Sequence, residues 1–272
     1  MQLKKITAGL LSVLLAGALL AGCSTGETAS SNASQQPASS AAAEKTKVNV
    51  FGIKGPTGIG LVNLMKANEE KTAQNDYTFS VLSTPDEAVA KVASGEADIA
   101  AVPTNLASAL YAKTNGKVKM LAVNTLGVLY ILENGTAINS VKDLKGKTIY
   151  LTGKGTTPDY VLQYLLTANG MSVDDVTLEY KSEATEVASV LAEDPTAIGL
   201  LPQPFVTAAC MQNDALKVIF DLNEEWNKIQ GVSGSSMVTG VTVVSKEFLE
   251  EHEDAVKSFM EEHKASAGAI NA

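Results

Sequence analysis

The chain has 272 residues, 45% of them apolar, which is enough for a substantial core and sits between one large domain and two ordinary ones. Its formal net charge of −9 excludes the basic stripe that a nucleic-acid surface needs. All 21 basic residues are lysine, so no planar guanidinium fork is available for a carboxylate or phosphate, and any anion would rest on backbone N–H groups, hydroxyls or lysine.

The chain opens with basic MQLKK and runs through the apolar ITAGLLSVLLAGALLAG to Cys23. A stretch this short with such flanks predicts a secretory signal over 1–22 rather than a spanning helix. Leu20-Ala21-Gly22-Cys23 resembles the bacterial lipobox, which implies lipidation at Cys23 and an extracytoplasmic protein anchored to the cell membrane. Residues 23–44 are small and polar, without apolar bulk to offset their ordering entropy, and predict a flexible tether. Cys210 is the one other cysteine, too few for a disulfide framework or a cysteine zinc site.

From Lys47 short β-branched runs alternate with helical ones. Strands are predicted at 48–53, 77–82 and 99–102, with helices at 59–70, 85–95 and 105–113. A long run of β-formers follows over 117–134. The alternation then restarts: a short helix at 141–146, strands at 147–152, 176–181 and 197–201, helices at 159–170, 184–194 and 205–213. A strand at 216–222, a polar helix at 223–230, a flexible turn at 231–236, a strand at 238–245 and one long helix over 246–269 complete the chain.

Tyr77–Leu110 aligns without a gap onto Val176–Ala209 at an offset of 99, and Thr78, Ser83, Glu87, Ala93, Ile99, Pro103 and Ala109 meet identical residues. A repeated strand-helix unit predicts two α/β domains with parallel sheets and helices on both faces. The first would take 45–130 and 236–272, the second 131–235, with two hinge crossovers near 125–135 and 231–238. The final strand and helix have no counterpart in the second unit and would return to the first.

In such sheets ligands meet the loops at the carboxyl ends of the strands, where helix N-termini gather. The first domain offers Gly55-Pro56-Thr57-Gly58, Ser83-Thr84 and Thr104-Asn105, with Asn124 near the first crossover. The second offers Thr152, Lys154-Gly155-Thr156-Thr157, Ser182-Glu183 and Gln203. These loops are small, polar and neutral, and two hinged domains would close them over one small molecule. Tyr160, Tyr180 and Phe205 leave room there for a flat ring. Ser, Thr, Asn and Gly also cap helices and shape turns, and Lys54 and Lys154 read as solvated lysines. No catalytic constellation, cofactor motif or metal site is read: GPTGIG is neither a Walker loop nor a dinucleotide fingerprint. His252 and His263 lie among EEHED and EEHK, which predicts an exposed charged face, and Cys210 reads as a buried apolar residue.

The signal, the tether, the duplicated unit and the phrases KGPTGIGLV, VASGEADIAAVPTNLA, VKDLKGKTIY and LLPQPFV together resemble extracytoplasmic substrate-binding lipoproteins of ABC importers, in the nitrate, sulfonate, taurine and thiamine-precursor branch. The resemblance implies a type II periplasmic-binding-protein fold, a monomer that captures a small solute without catalysis, and an ABC permease as partner. The cysteine-rich motif of the pyrimidine-type thiamine-precursor binders is absent. Family members usually continue through further helices beyond the position of Ala272, which implies a shortened chain with apolar surface exposed on the first domain. Two further classes share the resemblance: an enzyme on the same fold, as in the menaquinone pathway, which is at odds with an export signal, and a ligand sensor for a membrane receptor.

Overall fold

The computed structural model describes residues 44–135, 138–230 and 236–271. The signal, Cys23, nearly all of the tether and most of the 231–236 turn lie outside the described residues. The first half runs β1 (Lys47–Ile53), α1 (Pro56–Ile59), α2 (Val62–Glu69), β2 (Asp76–Leu82), α3 (Pro85–Ala93), β3 (Ile99–Pro103), α4 (Thr104–Lys113) and β4 (Val118–Leu126). The second runs β5 (Leu129–Asn134), β6 (Thr148–Thr152), α5 (Thr157–Ala168), β7 (Thr177–Lys181), α6 (Ala184–Glu193), β8 (Ile198–Pro202), α7 (Phe205–Gln212), β9 (Leu216–Asp221) and α8 (Leu222–Gln230). After it come β10 (Val238–Ser245), α9 (Lys246–Glu251) and α10 (Glu253–Ile270).

Two five-stranded sheets result, ordered β2-β1-β3-β10-β4 and β7-β6-β8-β5-β9. The sequence repeat reappears as paired registers: Val50 stands opposite Phe79 and Ile99, and Ile149 opposite Leu178 and Ile198, every residue displaced by 99. Neither sheet is wholly parallel, however. β10 is antiparallel to β3 and β4, and β5 to β8 and β9. Each of these strands enters from the other lobe at the end where the parallel strands finish, with Leu129 opposite Pro202 and Gly240 opposite Pro103, so each can only run back against its neighbours. The final strand therefore has a counterpart after all, β5. The first crossover lies between Leu126 and Leu129, which puts Leu129 and Tyr130 in the second sheet.

Apolar side chains pack on both faces of each sheet, as crossover helices require. β3 is the plainest case: Ile99, Ala100, Ala101 and Val102 are all buried, the alanines letting helices approach closely, and Pro103 ends the ladder because it has no N–H to give.

Two predicted helices are broken. The 59–70 segment divides into α1 and α2 because the Ser266 hydroxyl of α10 inserts between Gly60 and Leu64. It donates to the Gly60 carbonyl at 2.6 Å and accepts the Leu64 N–H at 3.1 Å, in place of the helical bond those two groups would share. The 246–269 segment breaks at His252, whose backbone is non-helical. Ser245 caps α9 through the Phe248 N–H, and Glu253 and Asp254 supply negative charge to the first turn of α10.

His263 is not on an exposed face. It is 5% exposed, on the α10 face formed by Ala255, Val256, Phe259 and Ser266, and its Nε2 is buried without a hydrogen-bond partner. Burial pushes its pKa below the ordinary histidine value. The unfolded chain then binds the proton first, so stability is fully present above the ordinary value of about 6.5 and falls as pH drops toward the depressed folded value. Thermal unfolding followed from neutral to mildly acidic pH is expected to show a falling midpoint, and His263→Leu to flatten that dependence. An equal slope in the variant would assign the loss to other groups.

Candidate functional site

A cavity of about 150 Å³ lies between the lobes, where the carboxyl ends of both sheets face each other. Lys54 follows the last residue of β1, and its N–H donates to the Leu82 carbonyl at 2.9 Å, fixing the start of the loop across two strand ends. Gly55, Pro56 and Thr57 then turn the chain into α1 and line the first lobe's side with Ser83. From the second lobe come Thr152, Thr156, Thr157, Ser182 and Glu183. Nine of the residues predicted from the strand-end rule are thus brought together around one space.

Most of the other predicted residues bond to the scaffold, as Thr156 does within the lining, its hydroxyl donating to the Gly153 carbonyl. Thr84 caps α3, accepting the Glu87 N–H at 3.3 Å. Thr104 donates to the Val238 carbonyl at 3.1 Å. Asn124 donates to Thr242 at 3.0 Å and accepts from Thr125 at 2.8 Å. Gln203 accepts both the N–H and the hydroxyl of Thr207. Lys154 stands over the Tyr180 ring, 5.3 Å from its centroid. Gly58 packs against β1 rather than the cavity.

Asn105 and Gly155 join the lobes instead of lining the space. The Asn105 amide donates to the Gly155 carbonyl at 2.9 Å, and its oxygen accepts the Thr157 hydroxyl at 3.1 Å. A second cross-lobe contact lies beside it: Lys54 donates to Glu183 at 2.8 Å. The hydrogen bond from Lys54 and its charge hold the Glu183 carboxyl below the usual carboxylate range. With side chains 50% and 39% exposed, this pair orients the two loops more than it stabilises them. Lys54 is therefore a paired lining residue that stays half-solvated.

Asp159 holds the 153–157 loop from beneath. It is buried, and its carboxylate accepts the Gly155 N–H at 2.8 Å, the Gln163 amide at 2.7 Å and the Tyr180 hydroxyl at 2.8 Å. Burial and that last bond push the Tyr180 phenol well above its ordinary pKa.

The rest of the lining is apolar or comes from the crossovers. Ile53, Val128, Leu129 and Phe205 present carbon, and Thr239 of β10 adds to the wall while its hydroxyl donates to the Thr125 carbonyl at 3.2 Å. Val128 and Leu129 lie within the crossover expected near 125–135, but the unbroken run of β-formers over 117–134 did not show which of its residues would line the cleft. Among the described residues no histidine or cysteine lines the cavity, and its one carboxylate, Glu183, is paired with Lys54. Nor, among those residues, do three His, Cys, Asp or Glu side chains gather in a way that could hold a metal ion.

The sequence model of the family described as NMT1/THI5 like matches residues 80–272, more than two thirds of the chain. The chain belongs to the NMT1/THI5-like family. Solved structures agree on the architecture of this family member. The periplasmic aliphatic sulphonate binding protein SsuA of Escherichia coli superposes with a TM-score of 0.64 at 14% identity, covering 83% of this chain and 74% of that one. The alkanesulfonate-binding SsuA of Xanthomonas axonopodis pv. citri gives 0.60 at 18% identity over 83% and 74%. A Candida albicans protein described as having the generic periplasmic binding protein fold gives 0.56 at 17% identity over 83% and 72%. At such identities the likeness establishes the type II periplasmic-binding-protein fold of this NMT1/THI5-like chain and nothing finer. A curated relative from Brucella abortus is 32% identical over 92 residues, which is 34% of this chain and spans only 28% of the relative.

Proposed function

We propose that this chain is the extracytoplasmic solute-binding lipoprotein of an ABC importer, anchored through Cys23, which captures a small molecule between its lobes and presents it to a permease. The observation that carries the reading is the cavity itself, ringed by matching strand-end loops of two lobes and spanned by Asn105 and the Lys54–Glu183 pair. A solute that bridges Thr57 and Ser83 on one side to Thr156, Thr157 and Ser182 on the other would favour the closed arrangement. A permease that recognises only that arrangement would then read occupancy. The sulfonate-binding neighbours and the pairing of the one lining carboxylate with Lys54 support capture over catalysis.

Native mass spectrometry of the purified chain, with thermal unfolding against a metabolite library, tests this. A bound solute at a hundredfold excess over Kd adds about 2.7 kcal/mol, which raises the midpoint of a chain this size by roughly 5–10 °C. Steady turnover of a library compound in place of equilibrium binding would sink the proposal. Palmitate labelling that is lost in Cys23→Ser tests the anchor.

A further inference from the structure

We infer that the cleft selects a net-uncharged solute with an apolar body, which extends from the interlobe cavity past Phe205 into the groove beyond. The inference rests on the solute-binding reading above and names the class of solute.

Charge comes first. Among the described residues lining the cavity, Lys54 and Glu183 are the ionisable side chains, and they neutralise each other at 2.8 Å. Residues 136–137 and 231–235, between the described segments, carry no ionisable side chain. Lys154 is turned onto Tyr180, and the three donors around Asp159 already face its carboxylate. A sulfonate or carboxylate would have to take Lys54 from Glu183 and leave that carboxylate unpaired beside it; an ammonium would do the converse. Either way a charge loses its partner; the pair is part-exposed, so that loss is small, and the incoming ion's own desolvation among hydroxyls and carbon adds to it.

The second lobe's helix ends are poorly suited to an anion. Pro158, at the second position of α5, and Pro204, at the cap of α7, lack the N–H groups that would otherwise point toward the cleft. At the cap of α6 stands Glu183, whose negative charge answers that helix's dipole from within the chain. What remains for a ligand is the hydroxyls of Thr57, Ser83, Thr152 and Ser182, with those of Thr156 and Thr157 able to accept while they donate to Gly153 and Asn105, all facing carbon.

The apolar body follows from what adjoins the cavity. A second space of about 230 Å³ shares Ile53, Lys54, Gly55 and Phe205 with it and is walled by Ile59, Val62, Met65 and Val81. Val62 and Val81 are 50% and 60% exposed, although each could be polar without disturbing the core. Phe205 stands at the junction and faces both spaces. A molecule held by its polar end among the hydroxyls would lay its apolar end along this wall, and continuity through Phe205 makes the two spaces one elongated site.

The test uses the full-length chain, stripped of co-purified solute by unfolding and refolding, in titration calorimetry against three matched series running from ethyl to octyl: alkanamides, alkanesulfonates and alkylammonium salts. Amides are expected to bind about tenfold or more tighter than either ion of equal length. Affinity should rise about two- to fourfold with each methylene once the chain passes Phe205. Val81→Asp should weaken long amides and leave the shortest unchanged, and Glu183→Gln, which frees Lys54, should shift preference toward sulfonates. A sulfonate or ammonium binding as tightly as its amide overturns the inference and leaves the solute-binding reading standing. Binding by none of the three series overturns it as well, while the library and mass-spectrometric measurements score the broader reading independently.

Discussion

Asp159→Ala is expected to lose about 3–5 kcal/mol of stability in urea unfolding, the largest effect of any single change near the cleft. The carboxylate is 3% exposed, and its removal leaves three donors facing a void: the Gly155 N–H, the Gln163 amide and the Tyr180 hydroxyl. Gln163 and Tyr180 are half-buried and Gly155 is exposed, so water recovers part of the loss; three bonds to a charged acceptor at about 1.5 kcal/mol each still exceed an ordinary hydrogen-bond loss. Tyr180→Phe removes one donor and leaves the carboxylate two, and should fall by only about 1 kcal/mol. The contrast matters because Gly155 also presents its carbonyl to Asn105 across the cleft. When Asp159 no longer holds the Gly155 N–H, the loop carrying Thr156 and Thr157 loses its anchor and the lobes lose a shared contact. Small-angle scattering should therefore show the Ala variant more extended under conditions where it remains folded. A loss within 1 kcal/mol of the Tyr180→Phe value would mean that this carboxylate does not hold the loop.

Most of the scaffold was legible because local periodicity and a gapless repeat set it. The offset of 99 seen in the sequence is the offset of the sheet registers, and Pro103 and Pro202 end β3 and β8 as prolines must. Strand direction was not legible in the same way. β5 and β10 look like any β-branched run, and they run backwards only because each crosses over at the cleft end. The breaks in the helices depend on partners far along the chain: Ser266 divides a helix more than two hundred residues before it, and no window around Gly60 contains that information. His263 is different, since Val256, Phe259, His263 and Ser266 recur at helical spacing and mark a buried stripe. Its charged flanks, Glu261, Glu262 and Lys264, outweighed that signal. At the site, topology fixed which loops would meet, while the use of each side chain was decided by neighbours. Thr84 and Gln203 turned to their own helices, and Lys54 met Glu183 from 129 residues away.

Gly58 shows how far a residue's role can differ from its place in a loop. A Cβ there would lie 2.4 Å from the Ile53 carbonyl oxygen and 3.3 Å from its carbon, both backbone atoms at the end of a strand whose carbonyls and N–H groups are already paired. Backbone cannot swing aside as a side chain can, so Gly58→Ala must push α1 away from β1, at a cost of about 3 kcal/mol. Pro56 and Thr57 travel with α1, and Thr57 sits under Gly240, where a Cβ would be only 2.5 Å from its methyl group. Because Pro56 and Thr57 line the cavity, displacing α1 moves that wall, and solute affinity should fall along with stability. Gly55→Ala separates the two effects. Its φ of 114° disfavours any side chain, but nothing lies within 4 Å of the new methyl group, so strain of about 1–3 kcal/mol is expected without displacement of α1. Gly268→Ala, in α10 with open space around it, should be neutral or stabilising by up to about 1 kcal/mol. Urea midpoints in the order Gly268→Ala, Gly55→Ala, Gly58→Ala, with binding reduced most in the last, would identify close packing of α1 on β1 as what sets the first lobe's wall of the cavity. Equal stability of the Gly55 and Gly58 variants would mean that α1 yields without resistance.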